Sequence, residues 1–254
     1  MKIPLKETEV LNDLLGYEGL KIIQDPKRFH FSLDSTLLAH FVTLKKGTQK
    51  VLDLCTGNAP IPLMLSLRTG AHIDGVELQA ASVDQALRSV ALNGLEGQIK
   101  IYHADLNQFR TVFKPHKYDV ITCNPPYFKV DPGSNLNQND ALTIARHEVK
   151  MTLDDVVREA AALLEPDGRF ALVHRPDRLV EIVETFKKWQ LEPKRLRFVY
   201  PRLSKEANGL LIEGIAQGKA GALRLEKPLV VYEGDTANYS EEILEMFNLE
   251  KKEK

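Results

Sequence analysis

The chain has 254 residues, 43% of them hydrophobic and 27% charged, with a formal net charge of −1. That length supplies a full core for one domain with decorations, and the balanced charge excludes a chain-wide polycation built to coat nucleic acid or anionic membrane. Two cysteines, Cys55 and Cys123, outside any CxxC or metal spacing, and no apolar run near the ~18 residues of a bilayer span, exclude a disulfide scaffold and a membrane helix.

A reduced, cytoplasmic protein without bound metal is expected. The first residues, MKIPLKETEVLNDLLG, are charged throughout and lack an apolar core segment, so no signal peptide is expected. Residues 1–47 read as a helical leader packing over a cofactor site. It holds TEVLNDLLG and then LDSTLLAHFVTL, with Asp34 or Ser35 as N-cap and Gly47 as stop.

From residue 48 short apolar runs alternate with amphipathic ones. Strands are predicted over 50–54, 72–78, 98–106 and 118–123, and helices over 59–70 and 80–94. Residues 129–148 are polar and turn-rich and read as a long functional loop. A helix over 152–166 follows, with Thr152-x-x-Asp155 resembling a capping box. Then come the strand GRFALVHR, the helix RLVEIVETFKKWQ and two successive strands, KRLRFVYP and NGLLIEGIAQG. The pattern predicts an α/β fold: a doubly wound, mostly parallel Rossmann-like sheet with one antiparallel strand near the C-terminal end. Residues 48–222 form the main domain and 223–254 a C-terminal extension, whose ordered candidates are PLVVYE and SEEILEMF.

In such sheets ligands bind beyond the carboxyl ends of the strands. The first of the four strands runs into Asp53-Leu54-Cys55-Thr56-Gly57-Asn58-Ala59, and Glu77 stands at the end of the second. The third ends at Asp105 and the fourth at Asn124-Pro125-Pro126-Tyr127. A dinucleotide loop needs GxGxxG, whereas this turn has one glycine and a carboxylate that would repel a pyrophosphate. The acids instead suit S-adenosylmethionine (SAM), which carries an ammonium group and no phosphate. Asp53 with Gly57 would meet its amino-acid end, Glu77 its ribose hydroxyls and Asp105 its adenine amine. Each acid alone is a common strand-end residue, and Asp105 alone is an ordinary helix cap; together they make a set.

The order DLxTGN, an acidic second strand end, AD after the third strand and NPPY after the fourth resembles the class I SAM-dependent methyltransferases that act on amino groups. The flanks FHFSLDSTLLAHF (29–41), ARHE (145–148) and LLIEGIAQGKAG (211–221) are similar to a bacterial family of tRNA(Val) adenine-N6 methyltransferases, which act on the adenosine 3′ of the anticodon. Ala59 departs from it where many relatives carry a second glycine. The resemblance implies a Rossmann-like fold, SAM as cofactor, tRNA as partner and a jaw for an exocyclic amine. The adenine amine is a weak nucleophile, its lone pair shared with the ring. The Asn124 side-chain carbonyl and the Pro125 backbone carbonyl, stiffened by Pro126, would accept its two N–H groups, with Tyr127 and Phe128 as stacking surfaces.

The same jaw accommodates a guanine amine, a DNA adenine or a protein glutamine, and a bare proline turn is the plain alternative. A short leader leaves no room for the extra domains of the DNA and glutamine enzymes, so RNA is preferred. Lys187 to Lys205 holds seven cations and one anion, Glu192; Lys194, Arg195, Arg197, Arg202 and Lys205 are therefore expected to meet phosphates. Arg146 is a further phosphate candidate, beside His147 and Glu148. Trp189 is expected in the core, His103 as a packed strand residue, and Cys55 and Cys123 as neighbouring thiols. A SAM- and RNA-binding protein without catalysis and a nucleotide-binding dehydrogenase are the rivals from other classes.

Overall fold

The computed structural model describes residues 4–14, 19–27, 33–125, 127 and 151–247. A nine-stranded sheet organises them. Its centre is β3 (Lys50–Leu54), flanked by β4 (His72–Glu77) and then β5 (Ile99–His103) on one side, and by β6 (Tyr118–Cys123) and β7 (Leu164–His174) on the other. These five strands are parallel. β9 (Gly209–Ala216) runs against both β7 and β8 (Leu191–Tyr200) and is the only strand of this sheet, among the described residues, to oppose the rest. Two short strands, β10 (Arg224–Leu225) and β11 (Leu229–Val230), extend β8 in parallel.

Parallel strands need covered faces. Helices α2 (Pro60–Ser66), α3 (Ala80–Leu92), α4 (Leu106–Phe113), α5 (Leu153–Leu163) and α6 (Leu179–Lys188) supply the cover, with buried side chains in two clusters. α5 starts at the expected capping box: Thr152 accepts from the Asp155 N–H while Asp155 accepts from the Thr152 N–H. The last helix, α7 (Glu241–Met246), is capped by Ser240 and buries Ile243.

The leader differs from the helical expectation. Residues 10–13 form strand β1 (Val10–Asp13), paired antiparallel with β2 (Lys21–Gln24) in a separate two-stranded sheet. The apolar residues of TEVLNDLLG suit a helical face, but docking onto α3 overrides that propensity. The Ile23 N–H donates to Ser89 Oγ at 3.0 Å, and Asn93 exchanges two hydrogen bonds with the Lys21 backbone. Glu9 pairs with Arg88, which holds the Glu9 carboxyl down at about 2.

Helix α1 (Leu33–Phe41) is present but begins before the expected caps, so Asp34 and Ser35 lie in its first turn. It ends six residues ahead of Gly47, its last carbonyls taken by Arg68 (Ala39 and Val42) and Arg195 (Phe41). α1 thus starts beside the end of β6, and the chain just past it meets Arg195 and Glu213, midway along β8 and β9.

Candidate active site

The loop after β3 turns three left-handed corners in five residues, at Cys55 (φ 56°), Gly57 (φ 58°) and Ala59 (φ 69°). Only glycine takes this conformation freely; an L-residue loses ~1 kcal/mol or more by it. The sequence marks Ala59 as a departure but gives no such sign for Cys55; the alternation of positions 55, 57 and 59 is the one available signal. Thr56 seats the loop on β4, where a Cβ on Gly75 would fall 2.9 Å from Thr56 Cγ2. Glu77 fastens it, accepting the Gly57 N–H at 2.9 Å and the Gln79 N–H at 2.8 Å. Burial raises the pKa of Glu77, and these N–H donors oppose the rise.

Helix α2 follows at once and begins Pro60-Ile61-Pro62. Two of its first three residues therefore lack the N–H that a helix start offers an anion. This weakens a pyrophosphate reading beyond the missing glycines.

Asp53 is fully buried. Its Oδ1 accepts from Thr122 Oγ1 at 2.6 Å, and its Oδ2 has no partner. Burial pushes its pKa up to about 7, the Thr122 and Thr56 hydroxyls oppose the rise, and the nearby Glu77 carboxylate adds to it. A bare carboxylate oxygen in a buried setting calls for a cationic or N–H-rich ligand. Asp105 caps α4, accepting the Asn107 N–H at 2.9 Å. It also lines a 280 Å³ cleft with Leu78, His103, Ala104, Gln108, Val112 and Phe113, a mixed apolar and polar lining that includes the carboxylate. His103 is exposed rather than packed, its ring bonded to the Leu78 carbonyl at 3.0 Å.

At the end of β6, Asn124 is half-buried and Pro125 buried. The Asn124 amide N–H donates to Ser35 Oγ at 3.1 Å, and its carbonyl accepts the Tyr127 hydroxyl. That hydroxyl also lies 3.1 Å from Asp34 Oδ2. The Tyr127 ring sits 5.2 Å from the His174 ring, and Arg178 donates to the Tyr127 carbonyl at 3.4 Å. Burial and Asp34 push the Tyr127 hydroxyl well above its ordinary range, so it stays protonated.

His174 ends β7, almost wholly buried. Its Nδ1 accepts the Arg175 N–H, so Nε2 carries the proton, and Nε2 has no partner. Burial, helped by Arg178, lowers its pKa to about 4, so the ring is neutral. Asp34, Ser35 and His174 do not stand out as site residues in the sequence. The first two read as helix caps, and the only signal for His174 is that it closes the next strand. Pro126, Phe128, Arg146, His147 and Glu148 lie outside the described residues.

The cations of the basic stretch have partners within the chain. Arg195 pairs with Glu226 at 2.8 Å and reaches Glu213. Arg197 pairs with Glu242 at 2.7 Å. The Lys194 ammonium is taken by the Lys219 and Gly221 carbonyls, and Arg202 by the Thr236 carbonyl at 2.6 Å. The anions come from β9, the β10–β11 segment and α7, which a count along 187–205 does not see. These four cations tie the sheet edge together, and Lys205 remains exposed. Trp189 packs against the core and donates to Asp154 at 2.9 Å. Cys55 and Cys123 are both free thiols, with Cys123 buried.

Among the described residues no group of three or more His, Cys, Asp or Glu is arranged to hold a metal ion, and no helix is long and apolar enough to cross a membrane.

A tRNA1(Val) (adenine(37)-N6)-methyltransferase of Parabacteroides distasonis is 28% identical over 223 residues, 85% of this chain and 90% of the relative. One from Dickeya chrysanthemi is 37% identical over 142 residues, 55% of this chain and 54% of the relative. Among solved structures, a predicted O-methyltransferase from Agrobacterium tumefaciens superposes with a TM-score of 0.67 at 20% identity, covering 85% of this chain and 95% of that one. TrmN from Thermus thermophilus gives 0.51 at 19% identity, covering 72% and 48%. These two likenesses establish the Rossmann-like methyltransferase fold. Residues 30–199 match the family described as the methyltransferase small domain, and the chain belongs to that family.

Proposed function

We propose that this protein transfers a methyl group from SAM to the exocyclic N6 of an adenine in a tRNA anticodon loop, of the tRNA valine type. The observation that carries the reading is the convergence at four successive strand ends. These hold the bare Asp53 oxygen, Glu77 clasping the Gly57 loop, the Asp105 cleft, and Asn124-Pro125 with Tyr127. The tRNA substrate and the adenine rest on the names of the Parabacteroides and Dickeya relatives.

Asp53 and the Gly57 turn would hold the amino-acid end of SAM, Glu77 its ribose through lone pairs its two N–H donors leave open, and Asp105 its adenine. When bound, SAM supplies a methyl group on a sulfonium, open to attack by a neutral amine. The Asn124 carbonyl and the Pro125 carbonyl accept the two N–H groups of the target amine. They turn its lone pair away from the ring and towards the donor. Fixed acceptors of this kind act by position and electrostatics, without a strong base. Tyr127 stacks the base, which leaves its own stack most cheaply from a single-stranded loop. Phe128, Arg146 and Lys205 are the remaining candidates for RNA contact.

We read residues 1–47 as a leader over the cofactor site, 48–222 as the catalytic unit and 223–254 as an extension. The leader touches the site twice: Asn58 donates to the Ile23 carbonyl at 2.9 Å, and Asp34 and Ser35 meet Tyr127 and Asn124.

The test is transfer from labelled SAM to tRNA from cells lacking the protein, with nucleosides identified by mass spectrometry. N6-methyladenosine that requires the intact protein supports the reading. Label in guanine, or only in protein glutamine, refutes the adenine assignment.

A further inference from the structure

Three side chains meet around one proton. The Tyr127 hydroxyl has a single hydrogen and two acceptors in reach, Asn124 Oδ1 and, at 3.1 Å, Asp34 Oδ2. It can serve one of them well at a time. Resting on the reading of Asn124 as the amine acceptor, we propose that Asp34 is a positioning residue for methyl transfer: it takes the Tyr127 hydrogen bond when substrate arrives and so opens the Asn124 carbonyl to the target amine.

Without substrate the hydroxyl donates to Asn124, which keeps the amide ordered but draws electron density from the carbonyl. The amide oxygen has a second lone pair, so an incoming amine N–H meets an oxygen whose electron density the Tyr127 hydroxyl already draws. Asp34 gives the hydroxyl another place to go, and a carboxylate is the stronger acceptor. The exchange needs rotation of the hydroxyl hydrogen towards Asp34 and a small retreat of the hydroxyl from Asn124 Oδ1, because two oxygens in such close contact repel once no hydrogen lies between them. No covalent bond forms or breaks, and the proton stays on Tyr127.

Ser35 completes the arrangement. Its Oγ accepts from the Asn124 amide N–H at 3.1 Å, which keeps that amide from turning over and presenting nitrogen to the substrate. Both residues stand on the first turn of α1, whose far end is clamped by Arg68 and Arg195. The helix therefore acts as a rigid mount for the two groups that set the state of Asn124.

The pairing makes an unusual demand on variants. Asp34→Ala strands the Tyr127 hydroxyl on Asn124, and the turnover rate is expected to fall about 30-fold, within the range a misplaced catalytic group costs. SAM affinity by calorimetry stays at the wild-type value. Tyr127→Phe keeps the ring, removes the hydroxyl and supplies the reference rate for the pair. Adding Tyr127→Phe to Asp34→Ala then restores the rate to that of Tyr127→Phe alone, because nothing is left to occupy the carbonyl. Asp34→Asn, which retains an acceptor, sits between wild type and Asp34→Ala and serves if the alanine variant does not fold. For that variant too, rescue by Tyr127→Phe is the expected result. A double variant as slow as the product of the two single losses overturns the proposal, as does a wild-type rate for Asp34→Ala. Asn124→Ala is run alongside: if it retains full activity, the underlying reading fails. If it is inactive while rescue is absent, only the role of Asp34 fails.

Discussion

Two regions of the same sheet treat buried acids differently. At the carboxyl ends of β3 and β7, Asp53 Oδ2 and His174 Nε2 are buried and have no partner. Three strands across the sheet, in the same register row as Asp53, the fully buried Glu213 accepts from Thr43 twice, from Arg169 at 2.7 Å and from Arg195 at 3.5 Å, with Arg169 Nε the one buried atom of the cluster left bare. Arg195 and Arg197 are answered in turn by Glu226 and Glu242. A polar atom left bare in the interior costs stability. Asp53 Oδ2 and His174 Nε2 stand at the strand ends proposed to meet a ligand, whereas the charges around Glu213 are met within the chain except at Arg169 Nε.

The contrast is open to attack in each region. The largest effect is expected from Asn124→Ala, which removes an acceptor aimed at the reacting amine. Methyl transfer should fall by roughly 10²–10³-fold, with SAM binding by calorimetry retained. A loss confined to SAM binding would move Asn124 out of the chemistry.

Next in size is Arg169→Met. It strips one partner from Glu213 and should lower the unfolding free energy in urea by about 3 kcal/mol, leaving the per-molecule transfer rate of the folded protein near wild type. A variant that folds as well as wild type but binds tRNA poorly would show that this region is an RNA surface after all.

Asp53 gives a pH test. Its folded pKa of about 7 stands above the ordinary 3.8. The folded protein therefore binds the extra proton between these values, and stability from this group is present at low pH and lost as pH rises through 7. His40 and His174, both lowered to about 4, act in the opposite sense, losing stability as pH falls from about 6.5 to 4. Total stability is thus a poor readout, and the difference between wild type and Asp53→Asn is the useful one. That difference should favour Asp53→Asn increasingly towards pH 8 in the free protein. SAM affinity of wild type should strengthen as pH rises through about 7, and Asp53→Asn should be flat. A flat wild-type profile would remove the ammonium role from Asp53.

The smallest effect is expected from Lys205→Glu on the exposed turn after β8. Removing one cation from a phosphate should weaken tRNA binding only a few-fold and reduce the salt slope by about one. An unchanged slope would mean that RNA does not reach this turn.

The same contrast explains how much the sequence discloses. The four strand ends are legible because parallel strands write themselves as short apolar runs, and the residue closing each run is fixed in space by the sheet. Asp53, Glu77, Asp105 and Asn124 need no long-range information. The antiparallel β9 is legible for the same reason, as two β segments without a helix between them.

The β1–β2 hairpin is not legible. Its apolar residues suit a helix in isolation, and only α3, some 70 positions away, decides otherwise. Asp34 and Ser35 are hidden because a short polar residue at a helix start has a ready local use. Their actual partners, Tyr127 and Asn124, are 93 and 89 positions distant. The partners of the basic stretch are hidden for the mirror reason: Glu213, Glu226 and Glu242 lie beyond residue 205, and Asp154, which pairs with Lys188, lies before it begins.

The most direct test of the strand-end account is a crystal structure of the protein with S-adenosylhomocysteine. The account predicts the ligand ammonium beside Asp53 and the Gly57 turn, its ribose hydroxyls on Glu77, and its adenine in the slot between Leu78, Ala104 and Asp105, with Asn124 open beside the sulfur. A ligand seated on the β8–β9 edge, or one that leaves Asp53 Oδ2 bare, would contradict it.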